Sequence, residues 1–268
     1  MSAMDDLRVT ILGCGGSGGV PLVGNVWGHA DPTEPRNRRR RPSILVQNRD
    51  TTILVDTGPD MREQLNDAGV RRLDGVLYTH AHADHAHGID DLRAVNWLQH
   101  APVQLYGDAT TMGILTRRFD YCFEAAEVRP PHFPRPVLIP NIINGPLTIG
   151  SIEIFPFVQD HGYSESLGFR FGPIGYSTDV VHLSDAAFDV LAGVDTWIVD
   201  CVRLEPPHPV HAHWEITRGW IERLRPRRAI LTHMNQSMDY ATLRGMLPSG
   251  VEPGYDGMVL VPGGQGDQ

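Results

Sequence analysis

The sequence predicts an α/β fold in one domain spanning residues 1–268. Three observations predict it. Short apolar, β-branched runs alternate with helix-like segments along the whole chain. No linker, short internal repeat or low-complexity tract divides it. An apolar fraction of 41% supplies a sizeable core.

The elements follow in order. Leu7 to Leu12 reads as a strand running into a glycine-rich loop, and Arg36 to Arg41 as a basic connection. Ser43 to Gln47 and Thr51 to Val55 flank a polar turn and predict a hairpin. Asp60 to Ala68 reads as a helix stopped by Gly69. Gly75 to Tyr78 is a buried strand, Ile89 to Gln99 a helix, Pro102 to Tyr106 a strand and Thr110 to Phe119 a helix. The proline-rich stretch Pro130 to Pro146 reads as a surface excursion. Strands are expected at Ile152 to Val158, Leu167 to Phe171, Ile174 to Ser177, Thr196 to Val199, Ala229 to Leu231 and Met258 to Val261. Helices are expected at Asp185 to Ala192, Glu215 to Leu224 and Asp239 to Met246. Helix Ile89 to Gln99 suits either the core or a homodimer contact.

Composition excludes several function classes. The net charge of −9 disfavours loose binding to nucleic acid, so no stable nucleic-acid partner is expected. No apolar run approaches the roughly 20 residues that span a bilayer, so no membrane partner is expected. Met1 to Arg8 lacks a basic segment followed by an apolar one, and no signal peptide is expected. Cys14, Cys122 and Cys201 are odd in number and widely spaced, which fits a reducing cytoplasm. Thirteen histidines is a high count and asks for an explanation.

The explanation begins at His80-Ala81-His82-Ala83-Asp84-His85, directly after the strand Gly75 to Tyr78. Imidazole nitrogen and carboxylate oxygen are ligands for zinc, manganese and iron. Alternate residues of an extended chain project on one side, so His80 and His82 can reach one ion. Asp84 and His85 follow the turn and can hold a second. His161, Asp179 and His233 each stand just past an apolar run, at a strand's mouth. Any one of them alone would read as structural; together with the cluster they read as ligands.

The order HxHxDH, His, Asp, His resembles the metallo-β-lactamase fold superfamily over nearly the whole chain. Asp56, in Ile53-Leu54-Val55-Asp56-Thr57-Gly58, matches that superfamily's buried aspartate. The resemblance implies a four-layer αββα sandwich with a dinuclear site at one edge. The opening Leu12-Gly13-Cys14-Gly15-Gly16-Ser17-Gly18-Gly19-Val20-Pro21 is similar to that of the phosphoribosyl 1,2-cyclic phosphate phosphodiesterases of phosphonate degradation, relatives of ribonuclease Z. The segment Leu247 to Met258, Thr232-His233 and Asp200-Cys201 carry the same likeness. That group's loop after Pro21 bears cysteines for an extra zinc; Asn25 to His29 has none, so no third metal is expected. The long basic arm of ribonuclease Z is also missing.

Gly13 to Gly18 satisfies GxGxxG after a strand. No convincing helix begins at Val20 to Gly24, so a dinucleotide site is rejected. The loop is either a phosphate contact through backbone amides or a tight turn near the metals.

Two divalent ions, zinc or manganese, are the expected cofactors. His80, His82 and His161 would hold one, and Asp84, His85 and His233 the other. Asp179 would bridge them, because a carboxylate offers two oxygens. Two ions about 3.5–4 Å apart can share a hydroxide. Asp84 and His211 are the candidate catalytic residues. The resemblance implies that a histidine twenty-two residues before the last ligand is the general acid, which is His211, with His213 its rival. His87, His100, His132 and His182 read as ordinary. Arg38 to Arg41 suit either substrate phosphate or a solvated loop, and Tyr163, Ser164 and Ser166 are weaker pocket candidates. The expected activity is phosphodiester hydrolysis of a small cyclic phosphate or nucleotide-like ester. The alternatives are a carboxylic ester, lactone or thioester hydrolase with the same metals, and a non-catalytic metal-dependent nucleotide-binding protein.

Overall fold

The structure, a computed structural model, describes residues 6–123 and 137–264. Among the described residues, fourteen strands form two mixed sheets of seven. The first sheet contains β1 (Arg8–Gly13), β2 (Ser43–Gln47), β3 (Thr52–Val55), β4 (Gly75–Leu77), β5 (Val103–Gly107) and β6 (Leu138–Ile142), with β14 (Val259–Leu260) beside β1. The second contains β7 (Leu147–Ile149), β8 (Ile152–Asp160), β9 (Glu165–Phe171), β10 (Ile174–Ser177), β11 (Thr196–Asp200), β12 (Arg228–Thr232) and β13 (Val251–Pro253). Each sheet is half antiparallel and half parallel.

Parallel neighbours need crossovers, and helices supply them. In the first half these are α1 (Met61–Asp67), α2 (Ala83–Ala86), α3 (Leu92–Gln99), α4 (Ala109–Arg118) and α5 (Asp120–Phe123). In the second they are α6 (Asp185–Leu191), α7 (Trp214–Leu224) and α8 (Tyr240–Met246). The helices cover the outer faces, which gives the four-layer αββα sandwich. Side-chain alternation sorts the layers. In β1, Val9 and Ile11 enter the core between the sheets, while Leu12 packs on the other face with Leu45, Leu54 and Leu65. In β8, Ile152, Ile154 and Phe157 are buried and their neighbours Glu153 and Phe155 are exposed.

Two features differ from expectation. Leu138–Ile142 is a strand, paired in parallel with β5 at the sheet edge, not a surface excursion. An edge strand tolerates Pro140, and its exposed Ile139 and Ile142 hide the alternation. The preceding residues 130–136 lie outside the described residues. The segment Ile89 to Gln99 divides into a 3-10 turn, Ile89–Asp91, and α3, which buries Leu92 and Val95 and exposes Trp97. No helix among the described residues is long and apolar enough to cross a membrane.

Two glycines make opposite predictions. A Cβ on Gly88 would stand 2.2 Å from the Gly58 carbonyl oxygen, beside the helix that carries Asp84 and His85. A Cβ on Gly113, inside α4, would meet nothing within 4 Å. Gly88→Ala is expected to cost about 1–3 kcal/mol, and Gly113→Ala to add about 0.5–1 kcal/mol. Urea unfolding of both variants checks the pair.

Candidate metal centre

The site is built from strand ends. Parallel β10, β11 and β12 run in register, with Ser177 opposite Val199 and Val199 opposite Leu231. Their C-terminal ends therefore bring Asp179, Asp200 and His233 to one edge. β3 and β4 do the same for Asp56 and His80, and β8 delivers His161. Asp56, Asp179 and His233 all adopt left-handed backbone, with φ of 65°, 55° and 57°. That conformation is costly for these residues and turns their side chains where a straight exit would not.

The seven candidate ligands come together. Ligand atoms of His80, His82 and His161 form one group within 4.8 Å of one another, and those of Asp84, His85, Asp179 and His233 form a second. Asp179 is central. Its Oδ2 lies 3.1 Å from His85 Nε2. Its Oδ1 lies 3.4 Å from His233 Nε2, 3.7 Å from His161 Nε2 and 3.9 Å from His80 Nε2. His80 Nε2 and His82 Nδ1 are 2.8 Å apart.

Neighbouring groups fix which nitrogen faces inward. Asp56 is fully buried and accepts from the Thr79 amide at 2.9 Å and the Thr79 hydroxyl at 2.8 Å. It also accepts from His85 Nδ1 at 2.7 Å, so His85 Nε2 is left for the centre. The Thr79 hydroxyl, its proton engaged with Asp56, accepts from His80 Nδ1 at 3.0 Å. His161 Nδ1 donates to the Val210 carbonyl at 2.8 Å. The Ser166 hydroxyl donates to the Asp179 carbonyl at 2.8 Å, holding its backbone. Thr79 and Val210 were not legible as site residues, because the first is a hydroxyl inside a strand exit and the second acts through its carbonyl.

The donor set fits divalent metal. Asp84 Oδ2, His85 Nε2 and His233 Nε2 are buried and make no hydrogen bond. Three converging orphan donors are expensive unless a cation satisfies them. Nitrogen and carboxylate oxygen together suit zinc or manganese. Electrostatics agree. Burial pushes the His80 and His161 imidazoles down, which keeps them neutral. Burial also opposes charge on His85 and His233, but the Asp179 carboxylate outweighs it, and His233 rises to about 9.

A cavity of about 390 Å3 opens over this cluster. His211 lines it and His213 does not. His211 Nδ1 donates to Asp200 Oδ2 at 3.0 Å, while His213 stands at the N-terminal boundary of α7 without a side-chain capping bond. Asp200 Oδ2 is itself held by the Val180 amide at 3.0 Å. Gly16 to Gly19 and His208 also line the cavity. Arg38, Arg39, Arg40 and Arg41 do not. Arg39 is buried against Asn37, Arg40 pairs with Asp67, and Arg41 pairs with Asp60. Tyr163 and Ser164 line a separate depression, and Ser166 is buried. His132 lies outside the described residues.

The family model of the beta-lactamase superfamily domain matches residues 51–234. The chain belongs to this superfamily. Relatives and structural neighbours of this chain include metal-dependent hydrolases. A solved diphosphatase from the PhnP family is 30% identical, with a TM-score of 0.85 over 95% of this chain and 97% of that one. An octanoyltransferase of Porphyromonas gingivalis is 28% identical over 260 residues, 95% of this chain and 51% of that protein. A ribonuclease Z of a Bradyrhizobium species is 32% identical over 142 residues, 51% of this chain and 46% of that protein. The chain thus spans about half the length of the curated relatives it matches.

Two predictions follow from the superfamily site. Asp56→Asn removes the partner of His85 Nδ1 and is expected to weaken metal affinity about 10–100-fold, read by competition with a chromophoric chelator. Because the carboxylates hold His85 and His233 protonated, an entering ion must displace protons. Apparent metal affinity should therefore rise with pH through the neutral range, with the His233 proton lost near about 9. Calorimetry in buffers of different ionisation enthalpy measures the released protons.

Proposed function

We propose that this chain is a dinuclear metal-dependent phosphodiesterase acting on a small cyclic phosphate or nucleotide-like phosphodiester. His80, His82 and His161 would hold one ion, Asp84, His85 and His233 the other, and Asp179 both. When bound, two such ions supply Lewis-acid charge and a hydroxide nucleophile at neutral pH.

The observation that carries the reading is His211. Its ring stacks on that of His233, with centroids 4.3 Å apart, and Asp200 backs it. Its Nδ1 proton is committed to Asp200, so Nε2 is the nitrogen that can donate to a leaving oxygen. An alkoxide leaving from phosphorus needs that proton. Asp200 orients the ring. Asp84 and Asp179 supply anionic charge with which the cluster would hold two dications. Among the described residues no protein group accepts the Ser17 and Gly18 amides, and both residues line the cavity. They are suited to donate to the non-bridging phosphoryl oxygens. The cavity volume of about 390 Å3 suits a small ester rather than a folded nucleic acid.

Relatives named for diphosphate and RNA hydrolysis support phosphorus as the reacting atom. The octanoyltransferase name favours a second reading, hydrolysis of a carboxylic ester or thioester by the same centre. This chain matches only 51% of that protein, so the acyl chemistry can reside in the other half.

The test compares metal-loaded wild type and His211→Ala on bis-p-nitrophenyl phosphate, a ribose 1,2-cyclic phosphate and p-nitrophenyl acetate. Phosphodiester turnover should fall about 10²–10⁴-fold in the variant for the cyclic ester. The fall should be smaller for the nitrophenolate, which leaves without a proton. Cleavage of the acetate alone would move the assignment to the carboxylic ester.

A further inference from the structure

A second and larger cavity, of about 640 Å3, lies on the outer face of β1 and β2. It shares no lining residue with the cavity over the metal centre. Arg8, Arg36, Arg38 and Arg40 converge on it, with Tyr255 and Gln47. Arg36, in the 3-10 turn Pro35–Asn37, faces this cavity with Arg38 and Arg40, while Asn37 and Arg39 are buried; over Arg38 to Arg40 the extended chain alternates.

Two properties separate these guanidiniums from an ordinary solvated face. First, part of their charge is left unpaired, although Asp67 and Asp256 also line the cavity. Arg40 pairs with Asp67 at 2.6 Å, but among the described residues no carboxylate pairs with Arg8, Arg36 or Arg38. That is unusual in a chain of net charge −9. Second, they are held in place by neutral groups. The Arg36 guanidinium sits 4.8 Å from the Tyr240 ring centroid and 5.5 Å from that of Tyr255. The Arg38 guanidinium lies 5.1 Å from the Trp27 ring. Arg8 donates to Gln47 Oε1 from Nε at 3.2 Å and from Nη2 at 3.0 Å. Stacking on a ring fixes the plane of a guanidinium yet leaves its N–H edge available to an anion. The entropy of ordering these long side chains is thereby already lost before a ligand arrives.

We propose that this cavity binds a small polyanion carrying two or more phosphate groups. Arg36 and Arg38 are held over different rings, Tyr240 and Trp27, so each can present its N–H edge to a separate phosphate, and the volume leaves room for two. The net negative charge elsewhere disfavours an extended nucleic acid. The site stands apart from the hydrolytic reading, so either can fail alone.

The test is calorimetric titration of the metal-loaded protein with adenosine 3′,5′-bisphosphate, a two-phosphate probe that chelates metal weakly. Inorganic sulfate is the single-anion arm. Wild type and Arg36→Gln/Arg38→Gln are compared, with hydrolysis of bis-p-nitrophenyl phosphate as the second readout. The proposal expects one probe per chain, at least about tenfold weaker binding in the variant, equivalent to about 1.4 kcal/mol, and unchanged hydrolysis. Equal affinity in both proteins, or none in wild type, overturns it. Binding matched by sulfate overturns the polyanion. Loss of hydrolysis together with binding places the arginines at the metal centre instead and also overturns it.

Discussion

Burial of the Asp179 carboxylate, 1% exposed, is the constraint around which the molecule is arranged. A carboxylate in that position costs several kcal/mol unless it is compensated. The compensation is a ring of imidazoles on both its oxygens, and His233 and His85 outweigh burial and hold it well below the usual carboxylate range. The same crowding leaves nitrogens of those imidazoles with no proton acceptor. A divalent cation resolves both problems at once, which is why a buried acid and a histidine cluster occur together here.

The scaffold answers that constraint with rigid parts. His80, His161, Asp179 and His233 stand just past strands whose neighbours are already in register, and the short helix α2 after β4 carries Asp84 and His85. Left-handed backbone at Asp56, Asp179 and His233 stores strain that the packed sheets on either side hold in place. Behind the ligands, Thr79, Asp56, Asp200 and the Val210 carbonyl set ring orientation. The proton-bearing His211 belongs to the same network, since Asp200 also takes the Val180 amide next to Asp179.

Much of this was legible in the sequence, and for a physical reason. An apolar run that ends in one polar residue marks a strand mouth, so His161, Asp179 and His233 could be placed without knowing which strands paired. The hairpin Ser43–Gln47 with Thr52–Val55 was legible from its alternation and polar turn. What escaped detection was short or self-contradictory. β7 and β13 have three residues each, too few for a period. α2 spans only Ala83–Ala86 and is written in ligands rather than helix formers. Pro140 disguised β6. The run Arg38 to Arg41 looked uniform, yet pairing of its backbone with the glycine loop sends Arg39 inward and Arg38 and Arg40 outward. Composition cannot distinguish those fates; only the alternation of a paired, extended chain can.

Superfamily membership and the site geometry meet at one point, Asp179, which is grouped with Asp84, His85 and His233 and lies 3.7 Å from His161 and 3.9 Å from His80. Elemental analysis of the chain titrated with zinc or manganese, with bis-p-nitrophenyl phosphate turnover followed at each addition, tests that point most directly. The account predicts two equivalents bound per chain and turnover that appears with the second. A single equivalent at saturation, or two equivalents without phosphodiester turnover, would contradict it.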